Sequence, residues 1–94
     1  GMLGSTPYLV KLSDNRFMVL WEEFVYDAAS SYNDTTSNGV CYVIVDGKGE
    51  QQGSVQKAEG AHLSADCQPL ALNGKVTWYI NRPSNTRMFY EIKY

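Results

Sequence analysis

His62, Ser64, Asp66 and Cys67 bring the side-chain types of nucleophilic catalysis into one short connector. A triad works by convergence: nucleophile, base and orienting carboxylate come from separate elements, and donors wait where the oxyanion will form. Four residues bunched in one connector do not meet those conditions, and His62 reads as a lone exposed or capping histidine. Glu22 and Glu23 offer a second acidic pair. Neighbours on a strand point to opposite faces, so they cannot by themselves flank a glycosidic bond. Asp46-Gly47-Lys48-Gly49-Glu50 sets two carboxylates among glycines. It lacks the alternating Asp/Asn ligands of a calcium loop and reads as a hairpin turn. Cys41 and Cys67 can bridge only if their Cα atoms come within roughly 7 Å. Cys41 lies in the apolar run Val40-Cys41-Tyr42-Val43-Ile44-Val45, which favours a buried, inert thiol. No second Cys or His stands at ligand spacing, so no metal site is expected, and no pattern calls for a cofactor.

The candidate ligand-binding residues are Tyr26, Tyr32, Asn33 and Asp34, in or beside a long polar stretch rich in Ser, Asn, Asp and Thr. Loops carry function disproportionately, and Tyr with Asn and Asp suits a polar ligand such as a glycan. The competing reading is a solvated connector. Asn33-Asp34-Thr35 fits a glycosylation sequon, which matters only in a eukaryotic secretory route. Trp21 and Trp78 could serve as stacking platforms for sugars; their apolar neighbours favour core packing for both.

The elements that hold these residues read as strands. Helix signals are nearly absent, while β-branched and aromatic residues come in short runs separated by Gly, Asn, Asp and Ser clusters. Seven strands are expected, over 8–12, 16–25, 40–45, 50–57, 68–72, 75–80 and 86–94. The second and third are apolar on both faces, as in sheets covered on both sides. The fourth is polar and broken by Gly53, as befits a sheet edge. Asn73-Gly74 signals a tight hairpin. Hydrophobic residues make up 44% of the chain and charged residues 19%, enough for a core and against disorder. The net charge of −2, with scattered basic residues, gives no reason to expect a nucleic-acid partner. No run of about 18 apolar residues suits membrane insertion. The first seven residues carry no basic-then-apolar pattern, so no signal peptide is expected; Gly1 before Met2 reads as a residue left by protease cleavage.

A strand-turn-strand unit ending in tryptophan occurs twice. Val19-Leu20-Trp21 lies over Val76-Thr77-Trp78 at a separation of 57 residues. Repeat unit one covers residues 7–60 and unit two 67–94, within a single domain, 1–94. Such self-similarity points to tandem β units. Four stretches carry a resemblance: Arg16-Phe17-Met18-Val19-Leu20-Trp21-Glu22, Tyr42-Val43-Ile44-Val45-Asp46-Gly47-Lys48-Gly49-Glu50, Leu63-Ser64-Ala65-Asp66-Cys67-Gln68-Pro69 and Gly74-Lys75-Val76-Thr77-Trp78-Tyr79. They resemble the blade-like repeats of large surface proteins from anaerobic Gram-positive bacteria. The resemblance implies a β-propeller-type fold and an extracellular or cell-surface setting, with no assigned chemistry.

The expected fold is therefore all-β, with antiparallel meanders in two blade-like units of four and three strands; a small sandwich or barrel is the alternative. Two blades leave apolar faces uncovered, so self-association or neighbouring blades of a longer chain are the expected partners. The expected function is a non-catalytic interaction or structural module, binding carbohydrate or protein. The alternatives are a hydrolase-like enzyme with its active site between blades of an oligomer, and a gene fragment with no present function.

Overall fold

A computed structural model describes residues 2–26, 35–81 and 86–94. These residues form two antiparallel sheets and no helix. The first sheet holds β1 (Met2–Gly4), β2 (Tyr8–Ser13), β3 (Arg16–Tyr26), β4 (Thr35–Val45) and β5 (Gln56–Ala58). Its order is β1-β3-β4-β5, with β2 also on β3, so β1 and β2 share the same side of that long strand. The second sheet holds β6 (Leu70–Leu72), β7 (Lys75–Asn81) and β8 (Arg87–Lys93), in that order.

The two sheets share one core. Val10, Met18, Leu20 and Val40 from the first sheet pack with Val76, Trp78 and Ile92 from the second, and Ala61 of the connector joins them. Register explains the choice. On β3, Met18, Leu20 and Glu22 point inward, and Val10, Tyr8, Ile44, Tyr42 and Val40 lie opposite them. Phe17, Val19 and Trp21 point outward, beside Leu9, Val45, Val43 and Cys41. On β7, Val76, Trp78 and Ile80 face inward, opposite Ile92, Tyr90 and Met88.

The all-β, two-unit antiparallel architecture follows the sequence reading, and four particulars differ. An added strand, β1, pairs with the far end of β3. β4 starts at Thr35, inside the stretch read as loop, because β3 is long enough to offer partners as far as Tyr26. The polar strand expected over 50–57 shrinks to a bridge between Gln51 and Val45 and the short β5. Gly53 sits there at φ 117°, a conformation that interrupts a ladder. The tryptophans are also not equivalent: Trp78 is buried in the core, while Trp21 is half-buried on the outer face. The core role assigned to both holds for Trp78 alone. A one-residue offset on a strand reverses the face a side chain takes.

Turn chemistry fits the sequence. Asn73 and Gly74 both take positive φ, 53° and 78°, as a type I′ hairpin between β6 and β7 requires. Asp46 closes a wider turn. Its N–H donates to Glu50 O at 2.9 Å, and its Oδ1 accepts the N–H groups of Lys48 and Glu50, each at 2.9 Å.

Candidate functional site

Glu22 is the buried charged residue of the core face, with 5% of its surface exposed. The inward alternation of β3 puts it there, and a bulge between Glu22 and Phe24 sets it beside the connector that follows β5. An isolated carboxylate at such a place is costly; this one is saturated with donors. Its Oε1 accepts the Leu63 N–H at 2.9 Å. Its Oε2 accepts the Ser37 hydroxyl at 2.6 Å and lies 2.8 Å from His62 Nδ1. Burial pushes the Glu22 carboxyl up. The bonds from Ser37, Leu63 and His62, with the attraction of the imidazole, outweigh burial and hold it below its ordinary value.

The network ties the sheets together. His62 O accepts the Trp78 Nε1–H at 2.7 Å, linking the connector to β7. Tyr8 donates its hydroxyl to Ser64 O at 2.7 Å, linking the same connector to β2. Ser5 and Glu22 exchange a second pair of bonds: Ser5 N–H to Glu22 O, and Glu22 N–H to Ser5 Oγ, both 2.9 Å. A cleft of about 280 Å³ opens beside this arrangement, lined by Ser5, Tyr8, Glu22, Phe24 and Ser64 among others.

The carboxylate–imidazole pair is the orienting half of a catalytic triad in form. Two features make it a clamp in practice. The hydroxyl that donates to the Glu22 carboxylate, Ser37, gives its proton to the same oxygen that holds His62. The Ser64 hydroxyl is turned to its own loop and accepts the Asp66 N–H at 3.1 Å. The bonds of Ser37, Ser64 and Cys67 run to groups other than the His62 ring.

Glu23 projects from the other face of β3, as alternation requires. It accepts from Lys57 Nζ and from Asn38 Nδ2, both at 2.8 Å, and lies 3.7 Å from Cys41 Sγ. The Lys57 hydrogen bond, with that of Asn38, holds the Glu23 carboxyl below its ordinary value. Burial, with the Glu23 charge beside it, pushes the Cys41 thiol up and keeps it protonated. Both cysteines are free. Cys67 accepts the Tyr79 N–H at 3.5 Å, a packing role for its sulfur.

His62 is not the lone histidine expected from sequence, because Glu22 holds it. Ser64, Asp66 and Cys67 build the turn around a bridge between Ser64 and Cys67. The Asp46 carboxylate caps its own hairpin, and among the described residues no group of His, Cys, Asp and Glu is placed to hold a metal ion. Tyr26 ends β3, half-buried and opposite Thr35; Tyr32, Asn33 and Asp34 lie outside the described residues. Sequence reasoning missed Glu22 as a structural centre. The signal was present: a carboxylate continuing the inward series Met18, Leu20 has to find donors.

The second notable surface is apolar. Leu9 on the outer face of the first sheet is 59% exposed, next to half-buried Phe17, Val19 and Val45. On the outer face of the second sheet Leu70 and Leu72 are each 64% exposed and Phe89 is 72% exposed. Phe89 lies 5.9 Å from the Tyr79 ring, and the Arg87 guanidinium sits 5.2 Å above Tyr79. No helix among the described residues is long and apolar enough to cross a membrane. Comparison with known proteins finds no matching family model, no matching curated protein and no matching solved structure.

Proposed function

We propose that this chain is a non-catalytic interaction module that docks through the outer faces of its sheets on neighbouring β-sheets, either its own copies or adjoining blade-like repeats. The observation that carries the reading is the pair of apolar outer faces, with Leu9 on one and Leu70, Leu72 and Phe89 on the other. Large exposed apolar patches mark interaction sites. Their composition favours protein over carbohydrate, because exposed leucines supply area to a sheet and little to a sugar ring. The resemblance to surface-protein repeats supports an extracellular setting for that contact. The Glu22 network supports a structural role for the connector, since its acceptors are committed to holding the sheets together.

The test pairs association with turnover. Leu9→Glu and Leu70→Glu change exposed positions, so each should fold with wild-type melting and show reduced self-association by sedimentation equilibrium. Wild-type association in both variants, or turnover of sugar or peptide substrates by the wild type, would count against the reading. Binding on a glycan array with no self-association would move the ligand class to carbohydrate.

A further inference from the structure

Among the described residues β8 is the longest free strand edge, and its pattern fits a second copy of itself. The other edges are blunted: β1, β5 and β6 have three residues each, and β2 carries a register shift between Lys11 and Ser13. β8 runs seven residues with an unbroken register against β7. It contains no proline, and it lies on the far side of its sheet from β6, the strand that approaches β2. Short strands, bulges, prolines and charged side chains are the usual protections of an edge; β8 has only the last, in Arg87, Glu91 and Lys93, and those charges then decide which register a partner strand can take.

Two hydrogen bonds fix which residues face that edge. Tyr94 N–H donates to Gly74 O at 3.1 Å, one step beyond the Lys75–Lys93 pair. Tyr79 N–H turns away from β8 to Cys67. In an antiparallel ladder successive residues alternate in the side to which they bond. Met88, Tyr90 and Ile92 therefore spend their backbone groups on β7. Arg87, Phe89, Glu91 and Lys93 direct theirs outward, and their side chains share the outer face of the sheet.

We propose that β8 pairs antiparallel with β8 of a second copy, about a two-fold axis at Phe89, joining two three-stranded sheets into one of six. This deepens the interaction-module reading and rests on its self-association. The register follows from charge. Centred on Phe89, each Arg87 stands opposite Glu91 of the other copy, and the two Phe89 rings meet at the axis. Centred on Glu91, two carboxylates would oppose each other; centred on Arg87, two guanidinium groups would. Centred on Tyr90, Arg87 would face Lys93. Opposite charges directly across a strand pair stabilise it and like charges destabilise it. The Phe89 register gives two attractive pairs, sets outward backbone groups against outward backbone groups and matches residues 87–91 of β8 with each other; centring on Ile92 would also oppose Glu91 and Lys93 but matches only residues 91–93 of the strand. On the inner face it sets Met88 opposite Tyr90 of the other copy, extending the apolar layer. Glu91 already lies 3.5 Å from Lys75 of its own chain, which leaves an exposed carboxylate free to face Arg87 as well.

Charge reversal tests the register. Sedimentation velocity over a concentration series should show wild-type dimerisation. Arg87→Glu alone and Glu91→Arg alone should each weaken it by roughly tenfold or more, since both cross-strand pairs become repulsive. The double variant restores opposite charges across the axis and should return to within about threefold of the wild-type affinity. Circular dichroism checks that all four chains fold alike. Association that neither single variant weakens, or that the double variant fails to recover, overturns pairing through β8 and leaves the module reading standing. A wild-type monomer at every concentration overturns the pairing and the self-association beneath it together.

Discussion

Replacing Glu22 by glutamine removes a charge while keeping the side chain's shape, and three neighbours decide what that costs. The Leu63 N–H needs an acceptor, and the new carbonyl oxygen supplies it. The amide NH2 then faces Ser37 Oγ and His62 Nδ1. The hydroxyl can rotate and the imidazole can change tautomer so that both accept. The network survives as neutral bonds in place of charge-assisted ones. Hydrogen bonds to a charged group contribute about 1.5–3 kcal/mol each and neutral ones about 0.5–1.5. Three such exchanges, offset by the relief of no longer burying a charge, leave a loss of roughly 1–3 kcal/mol at pH 7. For a domain of this size that lowers the melting temperature by roughly 5–20 °C. Glu22→Ala strands all three donors and should cost more, about 3–5 kcal/mol.

The pH dependence supplies the sharper signature. The folded Glu22 carboxyl titrates below its ordinary value of 4.5, so the folded state binds the proton less readily than the unfolded chain. Its contribution is complete above about pH 4.5 and is lost as pH falls through the lower folded value. Urea unfolding of wild type and Glu22→Gln at pH 7, 5.5, 4.5 and 3.5 should give curves that converge at the acid end. Glu23, also held low, adds acid sensitivity of the same sign to both proteins and cancels in the comparison. A constant stability gap across the series, or no gap at all, would refute the clamp.

Three further substitutions probe separate parts of the fold. Trp78→Ala removes a core ring and the indole bond to His62 O and should cost about 3–5 kcal/mol, whereas half-buried Trp21→Ala should cost clearly less; equal losses in chemical denaturation would contradict the opposite-face assignment. Tyr90→Phe deletes a buried hydroxyl with no partner among the described residues, so its melting temperature should stay level or rise; a large fall would reveal an unseen acceptor. Gly39→Ala forces a side chain into φ 96° and a Cβ to 2.7 Å from Ala58 O, so it should destabilise by at least about 2 kcal/mol; a neutral result would show that the β4–β5 edge gives way freely.

Much of this architecture was legible in local chemistry. Asn73-Gly74 names its own turn, and the apolar run of Val40 to Val45 marks a strand flanked on both sides, as β4 is by β3 and β5. What sequence could not settle was decided by tertiary partners. β1 forms because β3 extends past the end of β2, and nothing within Met2–Gly4 announces it. The two Val-x-Trp segments look alike in sequence yet face opposite ways, because a single residue of register decides which side meets the other sheet. The Glu22 clamp joins residues 15 and 40 positions apart, Ser37 and His62, a proximity only the fold creates. The local reading left His62 a lone exposed or capping histidine, because nothing near it in sequence names Glu22 as its partner.

The most direct examination of the interaction-module claim is the solution mass of the wild-type chain by light scattering over rising concentration. The proposed pairing of copies through the outer faces and the β8 edge predicts a mass that climbs above the 10.5 kDa of one copy. A steady 10.5 kDa at every concentration would mean that those surfaces attract no second copy.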